Sequence, residues 1–308
     1  MPTDTGGADV DLPNDASMGR AVDALLDDDE DDALSSLPRQ MEEEVAIPSM
    51  PDPMVAIASA MLDAQGPRPT FADFATVPSS NPFVADASAQ HVFITRHGAR
   101  IDNGPDSDPQ WLGKAGHGRR HDPHLSASGL QASEELAACL SAEAAGLAHV
   151  VSSPYVRCVQ TADAVAARFN LGIKIEPGIA EVGASAHKLL SPAELAAHFP
   201  RVDTSYTPVM AHADLGAEHS DGQAAARACA AAKAVRARLE GPLLMVGHGA
   251  SCLGLVQAFG GGGYVGYTSL TRFRRDASAH GGWTLRGEHG DVAHLSPGPR
   301  AAAAASAW

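Results

Sequence analysis

From residue 91 onward, short apolar runs alternate with longer helix-type segments, and this alternation limits the possible folds more than any other feature. The apolar runs that we interpret as strands are 91–95, 148–152, 172–176 and 243–246. Helix-type segments occur at 128–146, 156–169, 192–198, 220–239 and 251–259, and edge-type strands at 264–273 and 282–287. Such alternation is typical of a mainly parallel sheet with helices on both faces. The sequence therefore predicts an α/β domain of three-layer α/β/α architecture.

Charge is distributed unevenly along the chain. Residues 1–90 hold 18 of the 37 acidic residues but only three of the 22 basic ones, whereas the remainder is balanced and contains all 14 histidines. A segment this rich in Asp, Glu, Pro and Ser cannot bury enough apolar surface to offset chain entropy. We therefore predict a disordered acidic N-terminal extension over 1–88, a folded domain over 89–296 and a flexible C-terminal tail over 297–308.

The composition also disfavours several classes of protein. The neutral folded part lacks the basic footprint of nucleic-acid binding, and no apolar run approaches the length of a membrane span. The N-terminus has no secretory signal pattern. The scattered cysteines do not suggest a disulfide framework or a zinc site and fit reduced intracellular thiols; they are Cys139, Cys158, Cys229 and Cys252. We expect a cytoplasmic protein without nucleic-acid or membrane partners.

The first strand delivers a distinctive group of residues at its end. Val92-Phe93-Ile94-Thr95 is followed by Arg96, His97 and Gly98, with Arg100 two residues later. Ligands of open α/β sheets bind beyond the carboxyl ends of strands. A cation, an imidazole and a glycine released together there predict a pocket for an oxyanion, with phosphate as our choice.

Three further segments leave strands at the same predicted edge. Ser153-Pro154-Tyr155-Val156-Arg157 opens a helix, and free N–H groups at such an end attract anions. Glu181 follows the third strand, and Gly247-His248 follows the fourth. We expect these side chains to converge. Because arginine is always charged and grips phosphate oxygens bidentately, Arg96 and Arg157, helped by Arg100, would hold a phosphoryl group.

The remaining residue types suit transfer of that group. A neutral imidazole is a competent nucleophile near pH 7, and His97 is our choice for this role. His248 would donate to the phosphoryl group from another side. Glu181 would protonate the leaving oxygen and then deprotonate the attacking water. Other carboxylates compete with it for this role, namely Glu176, Glu194 and Asp214. The arginines make a metal ion or other cofactor unnecessary in this scheme.

The loop 113–124 is basic and rich in histidine. Its three histidines, His117, His121 and His124, suggest a metal site, but they lack a fixed ligand face. We favour a solvated loop at the rim of the substrate pocket.

Four motifs in this order resemble those of the histidine phosphatase superfamily, also called phosphoglycerate-mutase-like. They are Arg96-His97-Gly98, Ser153-Pro154-x-x-Arg157, Glu181 and Gly247-His248. The resemblance implies that His97 is the nucleophile, that Arg96, Arg157 and His248 bind phosphate, and that Glu181 is the proton donor. Further segments, including Arg157-Cys158-Val159-Gln160-Thr161-Ala162 and Ile175-Glu176-Pro177-Gly178, resemble the phosphatase domain of the ubiquitin-associated and SH3 domain-containing group, the suppressors of T-cell-receptor signalling. Arg100 matches the additional arginine of that group's first motif.

The resemblance implies a cofactor-independent phosphomonoesterase that works through a phosphohistidine. Its substrate would be a phosphotyrosyl protein or a small phosphorylated metabolite, and a homodimer is possible. Two alternatives stay open from the sequence. One is a catalytically weak scaffold that holds phosphorylated partners, and the other is a mutase-type phosphotransferase. Neither a ubiquitin-associated nor an SH3 pattern precedes the domain.

Overall fold

A computed structural model describes residues 90–103, 106–108, 110–111, 121–144, 146–216, 218–276, 278–279 and 282–306. The predicted acidic extension over 1–88 lies outside these residues, as does most of the histidine-rich loop. None of the helices within the described ranges is long and apolar enough to cross a membrane.

The described chain forms one sheet with helices on both sides. The strands are β1 (His91–Arg96), β2 (His149–Ser152), β3 (Ile173–Ile175), β4 (Leu243–Gly247), β5 (Leu270–Arg275) and β6 (Trp283–Asp291). The α-helices are α1 (Ala127–Glu143), α2 (Val156–Phe169), α3 (Pro192–His198), α4 (Asp221–Arg238), α5 (Gly249–Ala258) and α6 (Pro297–Ala305). The first four strands match the predicted runs to within about two residues.

The strand order is β3-β2-β4-β1-β5-β6. β3, β2, β4 and β1 pair in parallel, whereas β5 and β6 add antiparallel pairs beyond β1. The prediction of a mainly parallel sheet in an α/β fold is confirmed. Of the two strands expected at an edge, β6 lies at the edge of the sheet. β5 does not, since it pairs with β1 on one side and with β6 on the other.

The core lies in two layers, one on each face of the sheet. Side chains alternate across a strand, so Phe93 packs in one layer while Val92 and Ile94 pack in the other. Residues of α1 and α2 complete the first layer, and residues of α4 and α5 complete the second. The side chains of these three β1 residues are fully buried. This arrangement gives the three-layer α/β/α architecture.

The C-terminal stretch differs from the flexible tail predicted over 297–308. Residues Pro297–Ala305 form α6, and Ala302 and Ala303 are buried in a small cluster with Tyr267 and Leu295. Proline suits the first helical turn and alanine has the highest helix propensity. The small alanine side chains allow close packing, which composition alone did not reveal. The other predicted domain limits stay predictions.

Strand register brings the candidate motifs to one edge. Arg96, the last residue of β1, is paired with Gly247, the last residue of β4. Ser152 at the end of β2 lies between Val246 and Ile175 of its two neighbours. The segments that follow these strands therefore emerge side by side.

The contact between α4 and α5 depends on a glycine. A Cβ atom at Gly254 would lie 1.9 Å from the carbonyl oxygen of Ala225. We expect Gly254→Ala to lower the free energy of unfolding by about 1–3 kcal/mol, because overpacking forces the backbones apart. Urea denaturation measures this change. Gly222→Ala is the matched control, since its nearest neighbour is 4.0 Å away. Equal stability of Gly254→Ala and wild type would show that the helices separate without cost.

Candidate active site

His97 lies directly after β1 and is buried. Its backbone N–H donates to the carbonyl of Gly247 across 3.0 Å, which ties the start of the loop to β4. Its ring Nδ1 is 2.7 Å from the carbonyl oxygen of Gly98. Because a carbonyl only accepts, Nδ1 carries the proton and Nε2 keeps its lone pair. Nε2 accepts from Nε of Arg157 at 3.2 Å.

His248 has the complementary tautomer. It is the N-cap of α5, and its backbone N–H donates to Oγ of Ser251. Its ring Nδ1 is 3.1 Å from Nη2 of Arg157, and its Nε2 is 2.7 Å from Oγ of Ser153. Arginine has only donors, so Nδ1 accepts and Nε2–H donates to the serine hydroxyl.

Arg157 therefore joins the two imidazoles. It lies in the first turn of α2 and is buried, with its Cζ atom 4.2 Å from the centre of the Tyr155 ring. Nη1 is 3.7 Å from a carboxylate oxygen of Asp122. One guanidinium thus contacts both candidate histidines, an aromatic ring and a carboxylate.

Asp122 is a site residue that sequence reasoning missed. Its carboxylate is buried and accepts from the backbone N–H of Val156 at 2.9 Å, so it occupies the start of α2. The sequence predicts that this helix end attracts the anionic ligand directly. The structure instead places a protein carboxylate there, which leaves the Arg157 side chain as the cation. No local pattern indicates Asp122, because it lies 34 residues from its partner.

Arg96 is held on a different side. Its guanidinium carbon lies 4.2 Å from the centre of the Tyr267 ring and 5.4 Å from that of Tyr264. Nη1 donates to the carbonyl of Ser306 at 3.0 Å. Ser306 was also missed, since it belongs to the segment predicted to be flexible.

Glu181 is the candidate carboxylate that reaches the histidines. Its Oε2 is 3.6 Å from Nδ1 of His248, and the side chain is 25% exposed. Oε1 accepts from the backbone N–H of Val182. The side chain is therefore partly accessible to solvent, as the predicted exchange of protons with water requires.

The competing carboxylates have other contacts. Glu176 is fully buried and accepts from the backbone N–H groups of residues 178, 209 and 210 and from the Tyr206 hydroxyl. Glu194 forms a capping box with Ser191 at the start of α3. Asp214 lies in a short 3₁₀ helix, His212–Asp214. Of the four, Glu181 is the one that the structure places beside His248.

Arg227 on α4 stabilises the loop that carries Glu181 by hydrogen bonds to its backbone. Its guanidinium donates to the carbonyl of Gly178 at 2.9 Å, to that of Ala180 at 3.1 Å and to that of Glu181 at 3.3 Å. It also forms a bidentate pair with Glu218 at 2.6 and 2.7 Å. Its position in an Ala-rich helix gave no sequence signal for this role.

Arg100 lies apart from this hydrogen-bonded group. Its guanidinium pairs with Asp102 through contacts of 2.8 and 2.5 Å, and this hydrogen bonding raises the pKa of Arg100. Its charge still contributes to the positive field at His97. If Arg100 is to contact phosphate as expected, the phosphate must replace Asp102 as the hydrogen-bond partner of its guanidinium.

The histidine-rich loop is described only at its end. The His124 ring packs edge-on against Trp111 at 4.8 Å, and its Nδ1 donates to the carbonyl of Leu125. His121 is exposed, and His117 lies outside the described residues. Within the described ranges, no group of three or more His, Cys, Asp or Glu side chains is arranged to hold a metal ion. Absence of a metal from the reaction stays a prediction.

Burial and positive charge keep both histidines neutral. Desolvation, followed by the charge of Arg157, holds the pKa of His97 well below its ordinary value. The same two causes hold the pKa of His248 well below its ordinary value. Burial also lowers the pKa of Arg96 and raises that of Cys158 well above its ordinary value. The Cys158 thiol is thus a packed neutral group beside His248.

The sequence matches the family model described as histidine phosphatase superfamily (branch 1) over residues 92–286. The chain belongs to this superfamily, and the protein is a phosphatase of that class. A comparison with curated proteins gave no match.

Solved structures are similar to this chain, and one of them reaches a TM-score above 0.5. Ecdysone phosphate phosphatase from Bombyx mori is 20% identical, with 65% of this chain and 92% of that chain covered and a TM-score of 0.51. Phosphoserine phosphatase from Entamoeba histolytica is 17% identical, with 67% and 100% covered and a TM-score of 0.43. A mycobacterial glucosyl-3-phosphoglycerate phosphatase is 22% identical, with 64% and 97% covered and a TM-score of 0.39.

The neutral histidines make folding sensitive to pH. In the unfolded chain each imidazole has a pKa of about 6.5, whereas in the folded protein the pKa of His97 and that of His248 lie well below this. Below about pH 6.5 only the unfolded chain takes up these protons, and this uptake favours unfolding. The free energy of unfolding is therefore independent of these two groups above that pH and decreases as the pH falls below it.

We expect His97→Asn to reduce the slope of unfolding free energy against pH. One titrating group contributes up to about 1.4 kcal/mol per pH unit in this window. Urea unfolding of wild type and variant between about pH 7.5 and 5.5 measures the difference, and other titrating groups cancel in the comparison. Identical slopes would mean that folding leaves the pKa of His97 unchanged.

Proposed function

We propose that the protein is a metal-independent phosphomonoesterase that works through a phosphohistidine at His97. The observation that carries this proposal is the pair of contacts made by the two ring nitrogens of His97, which fix its tautomer. Gly98 holds the proton on Nδ1, and the unprotonated Nε2 points toward the guanidinium of Arg157. A nucleophilic nitrogen and a cation that can bind the electrophile are thus already in place.

The arginines and His248 would bind the phosphoryl group. In the structure, Arg157 uses the two imidazoles as acceptors, and oxygens of a phosphate ester would replace them. Arg96 approaches from the β1 side. Donation by His248 requires a proton on its Nδ1, and the Ser153 hydroxyl can then donate to Nε2 instead of accepting from it. The neutral imidazole of His248 can therefore accept from Arg157 in the free protein and donate to the phosphoryl group when substrate is bound.

The reaction would occur in two displacements. Nε2 of His97 attacks phosphorus, the ester P–O bond breaks, and the carboxylic acid of Glu181 gives its proton to the leaving oxygen. Water then attacks the phosphohistidine while the Glu181 carboxylate accepts a proton. The P–N bond breaks, and phosphate leaves with His97 restored. The net change is hydrolysis of the ester to an alcohol and phosphate.

The substrate class follows from the sequence resemblance rather than from the pocket. The motifs around Arg157 and Ile175 support membership of the ubiquitin-associated and SH3 domain-containing phosphatase group. We propose a phosphotyrosyl protein or a small phosphorylated metabolite as substrate. A cytoplasmic location and a homodimer also stay part of this proposal.

The first test is release of phosphate from para-nitrophenyl phosphate by wild type and His97→Ala, each with and without EDTA. We expect wild-type activity that survives EDTA and a loss of at least about 10³-fold in the variant, because no other nucleophile occupies the position. His187→Ala is the control, since this histidine is exposed on a surface turn.

Each alternative has its own result. Activity unchanged in His97→Ala would contradict the phosphohistidine mechanism, and loss of activity with EDTA would contradict metal independence. A wild type that binds phosphate esters without hydrolysis would indicate a scaffold. Transfer to a phosphoglycerate in preference to water would indicate a mutase.

Acid catalysis by Glu181 predicts a dependence on the leaving group. A nitrophenolate leaves readily without a proton, whereas an alkoxide does not. We expect Glu181→Gln to slow hydrolysis of an alkyl phosphate by about 10²-fold or more, and of para-nitrophenyl phosphate much less. Equal losses for the two substrates would assign Glu181 to binding instead.

Arg227→Ala should reproduce this pattern in weaker form, because it releases the loop backbone that places Glu181. The measurement is kcat for the same two substrates. Arg201→Ala is the matched control, since the Arg201 side chain forms a partly exposed ion pair with Asp163. Uniform loss on both substrates would show that Arg227 acts on general stability instead of on Glu181.

A further inference from the structure

We propose that the C-terminal segment, helix α6 with the following Ser306, positions Arg96 for phosphate binding. This inference rests on the proposed function, since it assigns a support to one of the phosphate ligands. The segment lies beyond residues 92–286, over which the family model matches. It therefore lies outside the part of the chain that the family model covers.

The contact with Arg96 is direct. Nη1 donates to the carbonyl oxygen of Ser306 at 3.0 Å, and the hydroxyl of Tyr264 donates to the same oxygen. A carbonyl oxygen has two lone pairs and can accept both. The Tyr264 hydroxyl thereby fixes the acceptor that in turn fixes the guanidinium.

The opposite edge of the guanidinium is left for a ligand. Arg96 Nε is buried and has no hydrogen-bond partner among the described residues. Nε and Nη2 form the edge with which arginine binds oxyanions bidentately, and Nη1 lies on the other side. A buried donor without a partner is costly, so a phosphate oxygen at this edge would satisfy it.

Ser306 also controls the plane of the guanidinium. Its hydroxyl accepts from the backbone N–H of Tyr267 at 3.0 Å and donates to the carbonyl of Ala303 at 2.7 Å. The Tyr267 ring lies under the Arg96 guanidinium, so the segment supports both the stacking partner and the anchor of Nη1. The burial of Ala302 and Ala303 beside Tyr267 keeps Ser306 in place.

The consequence is a lower entropic cost of binding. A free arginine side chain loses rotamer freedom when it grips a phosphate, and an anchored one has already lost it. The C-terminal segment should therefore affect phosphate affinity through Arg96. It should affect the chemical step at His97 much less.

The test is a double-mutant cycle. Removal of residues 297–308 should raise both KM for para-nitrophenyl phosphate and Kd for inorganic phosphate by about tenfold, the size of a charge-assisted hydrogen bond. The same truncation in an Arg96→Ala background should change Kd for inorganic phosphate little further. Titration calorimetry gives Kd, and circular dichroism verifies folding.

A milder pair of variants covers the case in which the truncated protein does not fold. Tyr264→Phe removes the hydroxyl donor to the Ser306 carbonyl but keeps the ring near Arg96, and Ser306→Ala removes the hydroxyl contacts but keeps the carbonyl. Both should weaken phosphate binding by a smaller factor in wild type and not in Arg96→Ala.

Two results would overturn the inference. One is an unchanged Kd in a folded truncation or, where the truncation does not fold, in both milder variants. The other is an equal loss with and without Arg96. Failure of the proposed function is separate, because it is seen as absent turnover in wild type while inorganic phosphate still reports on Arg96. A wild type that does not bind phosphate at all would overturn both.

Discussion

The site depends on one buried guanidinium shared between two neutral imidazoles. Arg157 donates to Nε2 of His97 and to Nδ1 of His248. Because arginine can only donate, these two nitrogens must accept, and the tautomer of each ring is thereby fixed. A charge buried this deeply needs compensation. Asp122 and the face of Tyr155 supply part of it. The remaining positive charge, with that of Arg96, makes the pocket suited to an anion.

The fold supplies precision where the chemistry needs it. His97 and His248 leave neighbouring strands whose register pairs Arg96 with Gly247, so their separation is set by backbone hydrogen bonds. Glu181 lies instead on a loop, and Arg227 compensates by binding its carbonyls. This difference fits the proposed roles, since the proposed nucleophile His97 requires exact placement whereas the proposed proton donor Glu181 must also exchange protons with solvent.

The sequence predicted the parts of the site that follow from local pattern. Strand runs at 91–95 and 243–246 lie close to the observed β1 and β4, and parallel pairing then places His97 beside His248. It could not predict Asp122, Arg227 or Ser306. Their contacts join residues 34, 46 and 210 positions apart, and each depends on how a loop or helix packs in three dimensions.

The misjudged C-terminal helix shows why composition is a weak guide at a chain end. A run of alanines has no amphipathic pattern strong enough to indicate a partner, so it resembles a solvated tail. Its small side chains are also what allow it to approach Tyr267 closely, with the Ala303 carbonyl near Gly266. The feature that hid the helix in the sequence is thus the one that brings the Ser306 carbonyl within reach of Arg96. Support for the proposed phosphate ligand Arg96 can therefore come from a segment outside residues 92–286, over which the family model matches.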